Sequence, residues 1–176
     1  MRIGVSGAHG TGKTTLVELL CARLDGHTSV EEPYVLLEED GYDFGFPPSQ
    51  DDYRAQLQRS LLELSSTATD VVFDRTPLDF LAYLAAHGAD AEAETDRAAL
   101  RNTLASLDLL VLLPITPSTE RLLPDPEMPR LRRAVNDELL DLVYDDPLQV
   151  IGDVPVVELT CPLGERADVV AAALSV

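Results

Sequence analysis

Positive charge is what this sequence has least of. It carries 13 Lys+Arg against 31 Asp+Glu, a formal net charge of −18, and Lys13 is its single lysine. A surface of that sign repels phosphate backbones, so general nucleic-acid binding is excluded and any phosphate site must be built locally. Cysteine is scarce as well. Cys21 and Cys161 lie far apart and match no zinc or redox spacing, so the expectation is two packed thiols in a reducing compartment. No apolar run approaches the roughly 18 residues of a membrane helix. The "RIGVSG" after Met1 is too short for a signal-peptide core. The expected protein is soluble and cytoplasmic, with no membrane partner.

What is present suits one core. The 176 residues are 45% hydrophobic, enough for a single domain without staples. Short runs of Val, Leu and Ile alternate with helical spacing. "RIGVSG" (2–7), "TSVEEPYVLLEE" (28–39, leading into Pro33), "DVVFDR" (70–75), "DLLVLLPIT" (108–116) and "VPVVELT" (154–160) read as strands. Segments 14–24, 51–68, 76–88, 91–107, 133–146 and 165–176 read as helices, and 40–50 as a Gly/Pro-rich loop. Near-continuous apolar strands between helices predict an α/β fold with both sheet faces covered.

"GAHGTGKTT" (7–15) stands between the first strand and the first helix. Gly7-x-x-x-x-Gly12-Lys13-Thr14 is the full P-loop pattern in its confirming context. Its glycines let backbone N–H groups of the stretch Gly7, His9, Gly10, Thr11 and Gly12 turn toward phosphate oxygens, and the helix N-terminus adds partial positive charge. Lys13 is expected to bridge β- and γ-phosphates and Thr14 to hold Mg²⁺, with Thr15 beside it. No Asn-Lys-x-Asp guanine motif and no Leu-Ser-Gly-Gly-Gln signature occurs, which leaves a small phosphotransferase or a nucleotide-gated switch.

"VVFDRTPLD" puts Asp74 and Arg75 at the carboxyl end of a buried strand, the edge where ligands sit in open α/β sheets. Asp74 would hold a Mg²⁺-bound water or accept a proton, and Arg75 would clamp an anionic oxygen. Asp79 pairs with Arg75 through a helical turn or acts in the site. The segment 117–133 holds Arg121, Arg130, Arg132 and Arg133 among Pro124, Pro126 and Pro129. Arg130 and Arg132, where the next helix begins, are the preferred pair for charge on a moving phosphoryl group. Tyr34, Tyr42, Phe44 and Phe46 would stack on a planar acceptor, with Arg54, Gln56 or Gln58 hydrogen-bonding it. These three, at spacings of two, cannot all face one way. Arg54, Arg59 and Arg75 would instead serve a second phosphate if the acceptor is a nucleoside monophosphate.

Through "GAHGTGKTTL", "VVFDRTPLDFLAYL" and "PRLRRAV" the sequence resembles the P-loop nucleoside and nucleotide kinases. It is most similar to small bacterial AAA-family ATPases that look like nicotinamide riboside kinase domains. The resemblance implies a three-layer fold with a five-stranded parallel sheet, order 2-3-1-4-5, and helices on both faces. It implies an arginine-bearing lid within about 117–137 and a segment, 160–166, that cups adenine. Glu32-Pro33 matches the Glu-Pro that deoxynucleoside kinases carry after their second strand, which implies that Glu32, or its neighbour Glu31, takes a proton from the acceptor hydroxyl, whereas Asp74-Arg75 replaces their Glu-Arg-Ser. The expected activity is ATP- and Mg²⁺-dependent transfer to a small-molecule acceptor, nucleoside- or nucleotide-like, with a homodimer compatible with the resemblance. The alternative is a nucleotide-gated switch or slow ATPase acting on a protein partner.

Overall fold

In the computed structural model, which describes residues 1–123 and 127–174, five parallel strands form one sheet in the order β2-β3-β1-β4-β5. They are β1 (Arg2–Ser6), β2 (Thr28–Val30), β3 (Val71–Asp74), β4 (Leu109–Leu112) and β5 (Val156–Glu158). The sheet order is the one expected. The period of two along each strand splits the core into two layers. Ile3, Val5, Val72, Leu109 and Val111 face one side, where they pack against Leu16 and Leu20 of α1 (Lys13–Arg23) and Val170 of α8 (Arg166–Ala173). Val71, Phe73, Leu110 and Leu112 face the other side. There they meet α3 (Gln50–Leu64), α4 (Pro77–Ala86), α5 (Arg97–Leu104) and α7 (Pro129–Tyr144). Gly4 lies in the middle of β1, where a Cβ would stand 2.7 Å from Thr76 Cγ2 and 2.9 Å from Leu107 Cδ1, so the residue that caps α4 packs directly on the strand.

Several elements end elsewhere than the sequence indicates. The run 28–39 is not one strand. Only Thr28–Val30 pairs, and Pro33 opens α2 (Pro33–Glu39) with its fixed φ at the first helical position. Helix 51–68 stops at Leu64, because Arg2 donates to the carbonyls of Leu64, Ser66 and Ala68 and closes the helix end. Helix 91–107 shortens to Arg97–Leu104, where Asp96 accepts from the N–H groups of Ala98 and Ala99. The arginine-rich segment contains two helices, α6 (Pro117–Leu122) and α7, and Pro129 starts α7. Pro124, Asp125 and Pro126 lie outside the described residues. The strands at 108–116 and 154–160 shrink to four and three residues, and one 3-10 turn, Leu163–Glu165, precedes α8.

Parallel pairing brings every strand's carboxyl end to one edge. The P-loop after β1, Glu32 after β2 and Asp74-Arg75 at the end of β3 therefore meet there. No described helix is long and apolar enough to cross a membrane.

Candidate active site at the carboxyl edge of the sheet

The P-loop takes the conformation its glycines permit. Gly10 and Gly12 have φ of +69° and +89°, a region that L side chains avoid. A Cβ on Gly7 would stand 2.6 Å from Leu113 O, so no larger residue fits where the loop leaves the sheet. Thr11 spends its hydroxyl on Ala8 O at 2.9 Å. Thr14 and Thr15 are exposed at the mouth, and a cavity of about 300 Å³ is lined by His9, Gly10, Gly12, Lys13, Thr14, Thr15, Glu32 and Arg75.

Four cations are buried among the described residues: Arg2, Lys13, Arg132 and Arg166. None lies within ion-pair distance of a described carboxylate. Arg2 caps α3. The other three each bond a P-loop carbonyl: Lys13 Nζ to Ala8 O at 2.9 Å, Arg132 Nε to His9 O at 2.8 Å and Arg166 Nη1 to Thr11 O at 2.6 Å. Burial pulls the Lys13 ammonium down to about 8, Arg75 adds to the shift, and Asp79, Asp74 and Glu32 oppose it. Burial likewise lowers Arg132 and Arg166. Arg132 Nη2 is buried and bonds to no described residue. Buried positive charge without a counter-ion is costly, and three such charges around one glycine loop fit a bound polyanion.

The residues expected to hold Mg²⁺ are together. Thr14 Oγ1 donates to Asp74 Oδ2 at 2.7 Å, while Asp74 Oδ1 is buried without a partner among the described residues. Burial raises the Asp74 pKa, against the bond from Thr14 and the charges of Lys13 and Arg75. A hydroxyl and a carboxylate with a spare buried oxygen are a hard-oxygen donor set that suits Mg²⁺.

Arg75 links this cradle to its neighbour. Its backbone is left-handed, φ +81°, which turns the side chain back across the sheet edge. Nε donates to Glu32 Oε2 at 2.8 Å, and Nη1 lies 3.4 Å from Asp79 Oδ1. Asp79 does more than pair with Arg75. It occupies the third position of α4, accepts from Thr76 N at 2.9 Å and from Gly7 N at 3.0 Å, and so ties the helix to the P-loop. Burial alone would raise the Glu32 carboxyl, but the charge and hydrogen bond of Arg75, with Lys13, bring it below its ordinary value.

Beyond Arg75 opens a second cavity, about 310 Å³, whose walls also include His9, Glu32 and Arg75. Tyr34, Tyr53, Phe80 and Tyr83 give it aromatic faces, and buried Gln56 adds an amide. Tyr53 and Tyr83 stack at 4.6 Å. His9 Nε2 lies 2.9 Å from Glu127 O. Burial lowers the His9 pKa, the Glu127 bond opposes, and Arg132, Arg75 and Lys13 add to the lowering. Because a carbonyl oxygen only accepts, Nε2 is the donor in this bond.

Not every expected residue comes here. Arg54 is turned away from the cavity and held by both carboxylate oxygens of Glu94, at 2.8 and 2.7 Å, and by Asp51. Arg59 pairs with Asp40 and Glu63. Arg130 is exposed and bonds no described residue, because positions two apart on α7 point about 200° apart and Arg132 takes the loop-facing side. Tyr42 and Phe44 pack on each other and Phe44 stacks on Tyr34, while Phe46 is exposed; of the four only Tyr34 lines the cavity. Glu31 lines neither of these two cavities; with Glu32, Thr14 and Asp74 it lines a third, of about 320 Å³, whereas Glu32 borders all three. Tyr53, Tyr83 and Arg166 join the site without having been singled out as its residues, whereas Asp79, expected to pair with Arg75 or to act in the site, both pairs with Arg75 and bonds the P-loop. The Thr76-x-x-Asp79 capping box was readable in the sequence, whereas no local signal marks the other three.

Residues 2–155 match a family model described as an AAA domain. No curated protein matches the sequence. Among solved structures, deoxyadenosine kinase from M. mycoides with products dCMP and a flexible dCDP bound aligns with a TM-score of 0.68 at 15% identity, over 99% of each chain. Shikimate kinase from Aquifex aeolicus aligns with a TM-score of 0.57 at 16% identity, over 99% of this chain and 96% of that one. NadR protein in complex with NR aligns with a TM-score of 0.64 at 23% identity, over 99% of this chain and 50% of that one. The sheet order, the glycine loop after β1 and these matches agree: the chain belongs to the AAA-domain family and has the fold of the P-loop nucleoside and small-molecule kinases.

Proposed function

We propose that the protein is an ATP- and Mg²⁺-dependent phosphotransferase acting on the hydroxyl of a small, planar, nucleoside-class acceptor. The observation that carries this reading is that the phosphate cradle and the aromatic cavity share the walls His9, Glu32 and Arg75. A hydrolase or a switch needs the cradle alone, whereas transfer needs an acceptor pocket opening onto the γ-phosphoryl position. The deoxynucleotides held by the deoxyadenosine kinase neighbour support a nucleoside-class acceptor.

The chain's own groups divide the work. The cradle N–H groups and Lys13 hold the β- and γ-phosphates, for which Lys13 must leave Ala8 O. Thr14 and Asp74 hold Mg²⁺, which when bound supplies charge neutralisation at the phosphate oxygens. Arg132, whose Nη2 is unspent, meets charge on the moving phosphoryl group. Glu32 orients the acceptor hydroxyl. Held low by Arg75, it is a weak base, which suits a loose transition state in which the hydroxyl proton leaves late. Tyr34, Phe80 and the stacked Tyr53 and Tyr83 form a slot for a planar ring, and Gln56 offers its amide. Arg54 and Arg59 are spent elsewhere, and Arg75 already faces Glu32 and Asp79. Among the described residues the acceptor end thus offers no spare cation for a second phosphate, which favours a hydroxyl acceptor over a monophosphate.

The test is ADP release from Mg²⁺-ATP over a panel of nucleosides, nucleoside monophosphates, nicotinamide riboside and simple alcohols, with Lys13→Ala as the blank. A nucleoside-class compound is expected to raise turnover many-fold over basal hydrolysis, and the monophosphates to do little. A basal rate that depends on Lys13 and answers to no acceptor sinks the kinase reading in favour of a slow ATPase or switch.

A further inference from the structure

Arg166 stands at the first position of α8, 1% exposed, and reaches back across the fold to the P-loop. Nη1 donates to Thr11 O at 2.6 Å and Nε to Cys161 O at 3.3 Å. The segment it anchors presses on the loop from outside. A Cβ on Gly12 would meet Leu163 Cδ1 at 3.1 Å and Arg166 Nη1 at 3.2 Å.

The placement matters because of what the Thr11–Gly12 peptide must do. A cradle that aims N–H groups inward aims carbonyls outward, and an outward carbonyl in a buried place needs a donor. The next residue is a glycine at φ +89°, so the chain itself does little to stop that peptide from rotating. On its far side Gly12 is fixed, since its carbonyl accepts from Leu16 N at 3.1 Å. Arg166 is the group that fixes the near side. It also brings a charge that no described carboxylate neutralises, in a chain with 31 acidic residues.

We propose that Arg166 is a positioning residue for the phosphate cradle: it locks the Thr11–Gly12 peptide in the anion-binding orientation and adds an uncompensated positive charge behind it. The proposal rests on reading the cradle as a nucleotide phosphate site. A rival role, shaping the adenine pocket from segment 160–166, predicts a different pattern of losses.

The experiment is calorimetric titration of the full chain with ADP and with inorganic tripolyphosphate, which has no base, in wild type, Arg166→Met, Arg166→Lys and Lys13→Ala. Losing a charge-assisted hydrogen bond and its charge should weaken both ligands by about 10- to 100-fold in Arg166→Met. Arg166→Lys keeps the charge but cannot hold both carbonyls, and should recover part of that loss. Should Arg166→Met fail to fold, Arg166→Lys carries the test, with an expected weakening of about tenfold for both ligands. Loss confined to ADP overturns the proposal in favour of a base-pocket role. Folded variants with unchanged affinity for tripolyphosphate overturn it in favour of a merely structural role. If wild type binds neither ligand, the cradle reading fails as well; if Lys13→Ala alone abolishes binding, only the role of Arg166 falls.

Discussion

Replacing Lys13 with methionine should make the ligand-free protein more stable. Lys13 is 5% exposed, and burial brings its ammonium from 10.5 to about 8. At about 1.4 kcal/mol per pH unit, that difference costs the folded state about 3 kcal/mol wherever the lysine is charged in both states. Methionine has similar length and no charge, so it removes the penalty. It also removes the hydrogen bond to Ala8 O, worth about 1 kcal/mol, but that carbonyl keeps a donor in Thr11 Oγ1. The net gain is about 2 kcal/mol, or about 4–8 °C for a chain of this size. The pH dependence gives the sharper test. The folded pKa lies below the unfolded one, so between about 8 and 10.5 the folded state binds fewer protons and wild-type stability rises with pH relative to the variant. The advantage of Lys13→Met is therefore full below pH 8, and by about pH 10.5, where the charge penalty has gone and only the lost hydrogen bond remains, it has turned into a deficit of up to about 1 kcal/mol. Urea midpoints in buffer free of phosphate and nucleotide, at pH 7 and pH 10, measure it. A variant less stable than wild type at pH 7, or a gap that ignores pH, would refute the claim that this lysine is held in place against its own solvation.

Three further outcomes follow from the same geometry. Nucleotide should stabilise the charged form of Lys13, so ADP affinity should fall as pH rises through about 8; proton uptake on binding, read by calorimetry in buffers of different ionisation heat, checks it. Glu32→Gln should lower kcat by about 10- to 100-fold with the KM for ATP little changed, because Glu32 serves the acceptor side; a rise in ATP KM alone would contradict that assignment. Arg2→Met should cost about 2–4 kcal/mol, since three carbonyls at the end of α3 lose their donor; a urea midpoint equal to wild type would dismiss the capping role.

The fold was legible where a signal was local and strong. β1, β3 and β4 are fully buried runs, and an apolar strand between helical patterns needs no tertiary knowledge to be read. The edges were harder. β2 keeps three residues because Thr28 and Ser29 are exposed at the sheet margin, and nothing in "TSVEEPYVLLEE" says where pairing stops. Pro33, placed at the end of a strand-like run, and Pro129, placed in the arginine-rich segment, each open a helix. The same fixed φ suits a strand's end and a helix's start, and only the following residues' packing decides.

The site divides the same way. The glycine loop, Lys13 and the Thr14–Asp74 pair follow from a motif and a strand end, both short-range patterns. Which arginine matters is a long-range question. Lys13 reaches a carbonyl five residues back, whereas Arg132 and Arg166 bond carbonyls 123 and 155 residues away. Arg130 and Arg132 were expected to act as a pair, but two positions two apart on one helix point about 200° apart, and only Arg132 faces the loop. Arg54 looked suited to an acceptor pocket until Glu94, forty residues on, claimed it with two hydrogen bonds. With 31 carboxylates for 13 cations, ion pairing is the ordinary fate of an arginine here and carries little information. A buried cation left unpaired is the informative one. Three of the four buried cations hold the carbonyls of Ala8, His9 and Thr11, and folding keeps them unpaired at a cost that a bound polyphosphate would repay.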